Sequence, residues 1–162
     1  AYFAEKDLAI FTINSERYCF NERGEMQTGL QSLKQADGSF ASYYFGDDGV
    51  MRTGKQTIYN DDLEENQIWY FQTKGSLKGQ GYHGERDNQV YVNGLLKKAD
   101  PELRYEPVST GEKRYLVNTS GTIQKATSSS SSASRPELGK GFKDIKDSND
   151  TVWTVDTSGI IQ

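Results

Sequence analysis

The stretch Phe40-Ala-Ser-Tyr-Tyr-Phe-Gly-Asp-Asp-Gly-Val-Met-Arg-Thr-Gly54 contains consecutive aromatic residues followed by a turn that ends in glycine. The aromatic residues at 43–45 favour a β-strand, and Gly49 supplies the positive φ that such turns need. A return strand follows through Val50 and Met51. The stretch therefore predicts a β-hairpin. One hairpin of this size is only marginally stable in water, so its recurrence along the chain is informative.

The pattern recurs when the copies are aligned on the turn glycine. The turn glycines are Gly24, Gly49, Gly75, Gly121 and Gly159. The residues at position −6 are Tyr18, Tyr43, Trp69, Tyr115 and Trp153, and those at −4 are Phe20, Phe45, Phe71, Val117 and Val155. The residues at +2 are Met26, Met51, Leu77, Ile123 and Ile161. Because positions −6 and −4 share one face of a strand, that face is predicted to be buried. Position −5 varies, so the opposite face is predicted to be free to change.

One full repeat consists of a strand that begins Gly-x-x-x-Leu or Ile, a polar loop, the aromatic strand, the turn and the return strand. A shorter copy at 91–96 turns at Asn93-Gly94. Residues 1–14 are interpreted as a degenerate first hairpin. Ala1-Tyr2-Phe3 is typical of the interior of an earlier repeat, which predicts that the chain is part of a longer protein.

The repeats divide the chain into a hairpin array at 1–125, a serine-rich loop or linker at 126–140 and a final repeat at 141–162. The serine-rich segment contains five consecutive serines at 128–132. Such a run is typical of a mobile loop or linker. Because a repeat stands on each side, a loop that leaves the array is favoured over a boundary between domains.

The composition fits an aromatic repeat array. The chain has 162 residues, of which 34% are hydrophobic and 12% aromatic, with ten tyrosines and seven phenylalanines. Each buried aromatic residue hides roughly 150–250 Å², so a few per repeat can hold neighbouring repeats together without a central core. The predicted fold is all-β, an elongated solenoid of repeated β-hairpins. Cys19 occupies the variable position −5 and is interpreted as a small apolar filler.

The strings at 43–54 and 69–77 resemble the cell-wall-binding, choline-binding-type repeats of Gram-positive surface proteins, which are related to glucan-binding repeats and to the C-terminal repeats of clostridial toxins. The similarity is close over 16–82 and weaker over 89–98, 113–125 and 141–162. It implies a β-hairpin solenoid that is secreted and attached to the bacterial cell surface. It also implies cages of aromatic rings between successive hairpins, in which cation–π attraction holds the quaternary ammonium of choline.

The chain departs from the family pattern at the position after Thr-Gly, where the family has Trp. This position holds Leu30 and Lys55, and the later connecting strand has Phe142. Tyr82, after Gly81, keeps an aromatic residue there. A cage that lacks one wall or contains a lysine is expected to bind choline poorly.

Aromatic side chains are the candidate ligand-binding residues. The first group is Trp69, Tyr70 and Tyr82, and a weaker group is Tyr43, Tyr44 and Tyr59. Packing between hairpins is the alternative role, and it is favoured for Trp69. Exposed rings in a row suit stacking on sugars as well as caging a cation.

Catalytic, metal and cofactor sites are not predicted. The single histidine, His83, lies in a glycine-rich stretch that is interpreted as a flexible turn. With one His and one Cys, nucleophilic catalysis has little support. The acidic segments 61–65 and 144–150 lack the aspartate spacing of a calcium loop and are interpreted as solvated turns.

The predicted function is a non-catalytic module that binds a cell-wall polymer or glycan, choline-bearing or not, and anchors its parent protein. The alternative is a ligand-free spacer that presents neighbouring domains. The net charge of −4, with no clustered basic face, argues against nucleic acid as a partner. No apolar run is long enough to span a membrane, so membrane insertion is not predicted. The oligomeric state is left open.

Overall fold

The computed structural model describes residues 8–162. Residues 1–7, including the Ala1-Tyr2-Phe3 attributed to an earlier repeat, lie outside the described part. Within residues 8–162 the chain forms short β-strands and one 3₁₀ helix, Pro136–Leu138, and no α-helix, so the prediction of an all-β fold is confirmed. None of the helical structure there is long and apolar enough to cross a membrane.

The strands are numbered in chain order. They are β1 (Ala9–Ile13), β2 (Glu16–Phe20), β3 (Met26–Gln27), β4 (Gly29–Lys34), β5 (Phe40–Phe45), β6 (Met51–Arg52), β7 (Gly54–Asn60), β8 (Glu65–Phe71), β9 (Gly84–Arg86), β10 (Gln89–Val92), β11 (Leu95–Leu96), β12 (Tyr105–Ser109), β13 (Arg114–Asn118), β14 (Lys143–Lys146) and β15 (Val152–Val155).

The chain divides into two compact units. Unit 1 contains the described residues up to Tyr82 together with Asn93–Leu95. Unit 2 contains His83–Val92 and Leu96–Gln162.

Unit 1 is built from antiparallel sheets that follow the predicted repeat. The order is β1-β2-β3 in the first sheet and β4-β5-β6 in the second, so each has a connecting strand, an aromatic strand and a return strand. β7 and β8 pair over seven residues from Gly54↔Phe71 to Asn60↔Glu65. The interpretation of residues 1–14 as a hairpin of their own is wrong for the described part, because β1 pairs with β2.

Successive hairpins of unit 1 pack through the return residue at position +2. An ideal Cβ on Gly49 would overlap the sulfur of Met26, so Met26 lies directly over the turn glycine of the next hairpin. Met51 covers Gly79 in the same way. Because a turn glycine has no side chain and tolerates positive φ, it both closes the turn and leaves room for the methionine.

The third copy differs from the sequence alignment. Gly46 N donates to Val50 O at 2.9 Å, four residues ahead, whereas Gln72 N donates to Gln80 O at 2.9 Å, eight residues ahead. Four residues are therefore inserted in the third turn, and its turn glycine is Gly79 rather than Gly75. The return residue is Gly81, which pairs with Phe71 as Met51 pairs with Phe45. The alignment of Leu77 as a return residue is wrong, since Leu77 lies in the insertion and is 51% exposed.

Gly81 allows the next turn to approach closely. An ideal Cβ on Gly81 would lie 2.6 Å from the carbonyl oxygen of Asn93 and 3.0 Å from the Cα of Gly94. Asn93 and Gly94 both have positive φ, 51° and 97°, as predicted for a two-residue Asn-Gly turn. Backbone thus occupies the space that a return-residue side chain fills in the other repeats.

Position −5 is buried at Cys19, Leu116 and Thr154 and half-buried at Tyr44 and Tyr70, which corrects the expectation that this face is free to change. Cys19 is 0% exposed and belongs to the same buried cluster as Phe45 of the next repeat. In unit 2, Leu116 is likewise 0% exposed and is clustered with Val155. In these copies the residue at −5 therefore packs on the following repeat. The interpretation of Cys19 as a small apolar filler agrees with its burial.

Unit 2 repeats the arrangement with aliphatic residues. Hairpins form from β9 and β10, from β12 and β13, and from β14 and β15. Its buried clusters include Val90, Val117 and Ile123 in one and Leu116, Ile145 and Val155 in another. An ideal Cβ on Gly159 would overlap Ile123, the same relationship that Met26 has with Gly49.

The serine-rich segment contacts the last hairpin of unit 2. Ser131 forms an isolated bridge with Lys140, and Ser132 is only 2% exposed. The 3₁₀ helix follows, with Pro136 in its first turn.

Candidate functional site

Tyr70 and Tyr82 form a ring pair on neighbouring segments of unit 1. The Tyr82 amide donates to the Tyr70 carbonyl at 2.9 Å, next to the Phe71↔Gly81 bridge. The ring centroids lie 6.0 Å apart with an interplanar angle of 83°. This edge-to-face geometry is one that aromatic pairs prefer. Both residues are half-buried, so the pair forms a corner that is partly open to solvent.

Lys55 stands beside this corner. It lies directly opposite Tyr70 in the β7–β8 register and is exposed. Cross-strand neighbours on one face have their Cβ atoms about 4.5–5.5 Å apart. The position at which the family resemblance expects an aromatic wall therefore carries a positive charge next to Tyr70.

Trp69 is separated from this pair, although it precedes Tyr70 directly. Successive side chains of a strand point to opposite faces, and Trp69 stacks on Phe71 with centroids 6.0 Å apart and planes 4° apart. Tyr44 of the preceding repeat stacks on the same ring at 6.1 Å and 17°. Since Phe71 is 0% exposed, Trp69 and Tyr44 pack around a buried ring.

The indole of Trp69 also lies against the turn at Gly94. An ideal Cβ on Gly94 would be 3.0 Å from Cε3 of Trp69. The indole N–H is buried and has no hydrogen-bond partner among the described residues. A buried donor without a partner is unusual in proteins and is satisfied in most cases by water or another polar group.

Tyr43 and Tyr59 occupy two further environments. Tyr43 is packed against the buried cluster of Cys19, Leu33 and Phe45. Burial raises the pKa of the Tyr43 phenol, although a hydrogen bond with Gln35 and the positive charge of Arg17 act in the opposite direction. Tyr59 is 56% exposed in β7 and lies opposite Asn66. The six predicted residues thus separate into a ring pair, a buried stack, a core tyrosine and an exposed tyrosine.

A polar pocket of about 100 Å³ in unit 1 contains none of the six predicted residues. It is lined by Ser15, Glu16, Arg17, Met51, Thr53 and Lys78. Arg17 Nη1 donates to the Lys78 carbonyl at 3.4 Å. The sequence reasoning missed this pocket because Lys78 reaches it only through the inserted part of the third turn. The signal that could have found it is the Gly79 that follows Gly75 by four residues.

A hydroxyl cluster surrounds Asp144 in unit 2. Its carboxylate accepts hydrogen bonds from the Ser132 hydroxyl, from the Ser134 amide and hydroxyl at 2.9 Å each, and from the Thr154 hydroxyl at 3.0 Å. Burial acts to raise the pKa of Asp144, but the hydrogen bonds from these three residues together outweigh it and lower the pKa to about 2. The cluster attaches the serine-rich segment to β14 and β15.

The second acidic segment has a structural role at Asp147. Asp147 Oδ1 accepts the amides of Asn149 at 2.8 Å and Thr151 at 3.0 Å, and Oδ2 accepts the indole N–H of Trp153 at 3.0 Å. The Trp153 hydrogen bond is the main reason that the pKa of Asp147 is lowered. Asn118 closes its own turn with the same pair of amide contacts, to Ser120 and Thr122. Within residues 8–162, no group of three His, Cys, Asp or Glu side chains is placed to hold a metal ion.

Comparison with known proteins gives similar chains of low identity. No protein-family model matches the chain. Among curated proteins, the large tegument protein deneddylase of Murid herpesvirus 1 (strain K181) is 26% identical over 106 residues, which cover 65% of this chain and 5% of that protein.

Solved structures similar to this chain include an alternansucrase and two proteins of Streptococcus pneumoniae. Alternansucrase in complex with isomaltononaose is 16% identical with a TM-score of 0.47, over 96% of this chain and 10% of that one. CbpJ from Streptococcus pneumoniae TIGR4 is 18% identical with a TM-score of 0.41, over 95% of this chain and 48% of that one. Choline binding protein F from Streptococcus pneumoniae is 16% identical with a TM-score of 0.39, over 94% of this chain and 51% of that one. This chain spans about half the length of the two pneumococcal chains, and these neighbours include the choline-binding type that the repeats resemble.

Proposed function

We propose that this chain is a non-catalytic module that binds a cell-wall polymer or another surface glycan and anchors its parent protein to the outside of a Gram-positive cell. The observation that carries the proposal is the Tyr70–Tyr82 corner, in which two half-buried rings stand at 83° with centroids 6.0 Å apart. Ring faces that are held rigidly and are partly open can stack on the apolar faces of sugar rings. Aromatic residues provide this contact area at little conformational cost.

The module would be a β-hairpin solenoid. In each unit, the return residue of one hairpin lies over the turn glycine of the next, as Met26 does over Gly49 and Ile123 over Gly159. The −5 residue packs on the next repeat, as Tyr44 does on Phe71. Contacts between nearest neighbours are what hold a repeat array together.

A neutral or anionic glycan suits the corner better than choline does. Lys55 stands opposite Tyr70, where the family pattern has Trp. The ammonium group of Lys55 would repel the quaternary ammonium of choline. Lysine in place of Trp also leaves the cage with one aromatic ring fewer. The same ammonium can donate hydrogen bonds to sugar oxygens.

The single cysteine and the single histidine both have places in the fold. Cys19 is fully buried, and burial raises the pKa of its thiol to about 11, which disfavours the reactive thiolate. The His83 imidazole Nε2 lies 2.7 Å from the Thr110 carbonyl oxygen. Both placements favour a binding role over catalysis.

The test is a pull-down on purified Gram-positive cell walls together with a tryptophan-fluorescence titration using soluble wall glycan and choline. We expect the unmodified chain to be retained on walls, and the double variant Tyr70→Ala, Tyr82→Ala to bind about tenfold more weakly, because two ring contacts of about 0.5–1.5 kcal/mol each are lost. Phe40→Ala is the matched control, since Phe40 is 42% exposed and outside the corner. Circular dichroism of each variant verifies that it is folded.

A ligand-free spacer is the second candidate function. It is favoured by the Trp69–Phe71–Tyr44 stack, in which aromatic residues of the predicted site pack on one another. A chain that is folded but not retained on walls, with no fluorescence response to glycan or choline, would establish the spacer. Retention that Tyr70→Ala, Tyr82→Ala leaves intact would place the binding surface elsewhere.

A further inference from the structure

The polar pocket of unit 1 has the composition of an anion site. Its space of about 100 Å³ holds several water molecules and therefore has room for a phosphate or carboxylate group. Arg17 and Lys78 supply two cationic side chains, Ser15 and Thr53 supply hydroxyl groups, and Met51 supplies an apolar wall. Glu16 is the single carboxylate in the lining.

Two local departures from the repeat build this pocket. The β1–β2 turn has positive φ at Asn14 and Ser15, 51° and 70°, so Glu16 and Arg17 follow it directly at the start of β2. The insertion in the third turn carries Lys78 to the same place, where its carbonyl accepts the Arg17 guanidinium at 3.4 Å. This hydrogen bond holds the guanidinium against the backbone of Lys78.

The two cations retain their capacity to bind an anion. Among residues 8–162, no carboxylate lies within 4.0 Å of either charged group to form a salt bridge. The single hydrogen bond of Arg17 uses one of the five N–H donors of a guanidinium. Like charges held together are stabilised when an anion lies between them, and guanidinium pairs with oxyanions through two parallel hydrogen bonds.

We propose that this pocket binds the oxyanion of a phosphorylated or carboxylated saccharide, with the anion between Arg17 and Lys78. The hydroxyl groups of Ser15 and Thr53 donate to its remaining oxygens. The Glu16 carboxylate accepts hydrogen bonds, which suits a ligand that also carries hydroxyl groups, as a sugar does. The pocket shares no residue with the Tyr70–Tyr82 corner, so it is a second contact that goes beyond the proposed glycan stacking.

The experiment is a titration of the full chain, followed by NMR amide shifts at low ionic strength, with four separate probes: glucose 6-phosphate, glucuronate, glucose and choline. We expect saturable shifts around Arg17 and Lys78 with at least one of the two anionic sugars, and none with glucose or choline. Saturation by the phosphate alone or the carboxylate alone identifies the oxyanion. Affinity should fall when salt is raised, because the charges are partly exposed.

Three variants should change the affinity for the anionic sugar in opposite directions, which a general structural effect would not do. Arg17→Gln and Lys78→Gln should each weaken the anionic sugar by about tenfold, since each removes a charge-assisted contact. Glu16→Gln should strengthen it, because the repelling negative charge is lost while the amide oxygen can still accept a hydrogen bond from a sugar hydroxyl. Lys74→Gln, which lies in the same turn and outside the pocket, is the matched control and should change the affinity less than twofold. Lys78→Gln keeps the carbonyl that Arg17 contacts, so it tests the charge without removing that hydrogen bond.

Several results would overturn the proposal. These are no saturation by either anionic sugar at tens of millimolar, an equal loss in Lys74→Gln and Lys78→Gln, or weaker binding in Glu16→Gln. Binding of the anionic sugars that persists in Tyr70→Ala, Tyr82→Ala while wall retention is lost supports the pocket as a separate site. Wall retention in a chain that binds neither sugar rejects the pocket and leaves the glycan-binding function standing.

Discussion

The side chain of Met26 lies over the turn glycine of the following hairpin, Gly49, so closely that a Cβ on Gly49 would overlap its sulfur. Gly49 has φ of +85°. Glycine is therefore favoured at 49 for two separate reasons, the backbone conformation and the contact with Met26 of the preceding repeat. Gly24, in the first hairpin, has φ of +78°, but none of residues 8–162 places an atom within 4 Å of its ideal Cβ.

The pair of glycines allows the two reasons to be separated by mutation. Gly24→Ala should lower the free energy of unfolding by about 1–2 kcal/mol, the cost of a left-handed backbone conformation in a residue with a Cβ. Gly49→Ala should lower it by about 0.5–1.5 kcal/mol more, because the added methyl also forces the flexible, 46% exposed Met26 side chain out of its preferred rotamer. Urea denaturation of both variants measures the difference.

Substitution of Met26 tests the origin of that difference. Combining Gly49→Ala with Met26→Ala should remove the overlap, so the two changes should be less destabilising together than the sum of their separate effects. Strict additivity, or equal losses in Gly24→Ala and Gly49→Ala, would show that Met26 does not hold the hairpins together.

Substitution of Gly81 tests a steric contact alone, since the φ of this residue lies outside the left-handed region. Its ideal Cβ would lie 2.6 Å from the Asn93 carbonyl oxygen, which belongs to the backbone and cannot rotate away. We expect Gly81→Ala to lower the free energy of unfolding by about 2 kcal/mol or more. Gly46→Ala is the control, because its Cβ would meet only the end of the Arg52 side chain, which is able to move. A loss in Gly46→Ala as large as in Gly81→Ala would contradict the explanation by backbone contact.

The sequence predicted the hairpins better than it predicted what lies between them. The all-β class, the three-stranded repeat and the Asn93-Gly94 turn follow from local patterns, namely alternation, aromatic strands and glycine at positive φ. The third turn was misaligned because Gly75 and Gly79 both lie in polar stretches typical of turns. The pairing of Phe71 with Gly81 shows that Gly79 is the residue equivalent to Gly49. Local patterns carry no information on such pairing.

The grouping of the candidate residues in space was predicted only in part for the same reason, and their role in ligand binding stays a prediction. Tyr70 and Tyr82 are 12 residues apart in the sequence, and their contact depends on the length of the intervening turn. Trp69 was assigned to the same patch from its proximity in sequence, yet alternation along β8 places it with Phe71 and Tyr44. The Arg17–Lys78 contact spans 61 residues and a turn insertion, so no local pattern indicates it.

The thiol of Cys19 should be unreactive in the folded chain. It is 0% exposed, and burial raises its pKa from 9.0 to about 11. Because the pKa of the thiol is higher in the folded state, the contribution of Cys19 to the free energy of unfolding is fully present below about pH 9. This contribution is lost as the pH rises toward 11. At pH 8 a thiol reagent should react only at the rate of unfolding, and at once in denaturant. Rapid reaction of the native chain would show that position −5 opens to solvent.

The Cys19 environment can also be tested by substitution. Cys19→Ser should be more destabilising than Cys19→Ala, because serine buries a hydroxyl among Leu33 and Phe45, where the cluster offers apolar contacts. A buried hydroxyl without a partner costs about 1–3 kcal/mol. Thermal unfolding of the two variants compares them directly, and equal midpoints would mean that the serine finds a hydrogen bond.

The last prediction concerns the carboxylate that attaches the serine-rich segment. The folded pKa of Asp144, about 2, lies below the ordinary value of 3.8. Its contribution to stability is therefore fully present above about pH 4 and is lost as the pH falls through 2, when protonation removes an acceptor from the hydroxyl cluster. Asp144→Asn should lower the free energy of unfolding at pH 7 by about 2 kcal/mol, the range of hydrogen bonds to a charged group, and should flatten its decrease between pH 4 and 2.

A local readout distinguishes this attachment from a general effect of charge. The Ser134 amide donates to Asp144 Oδ2 at 2.9 Å, so its hydrogen exchange should be slow in the unmodified chain and fast in Asp144→Asn. Asp61→Asn, in the exposed turn between β7 and β8, removes the same charge and should leave Ser134 protected. Slow exchange of Ser134 in Asp144→Asn would contradict the role of the charge, because the amide would then keep an acceptor, the asparagine oxygen or a serine hydroxyl, without the carboxylate.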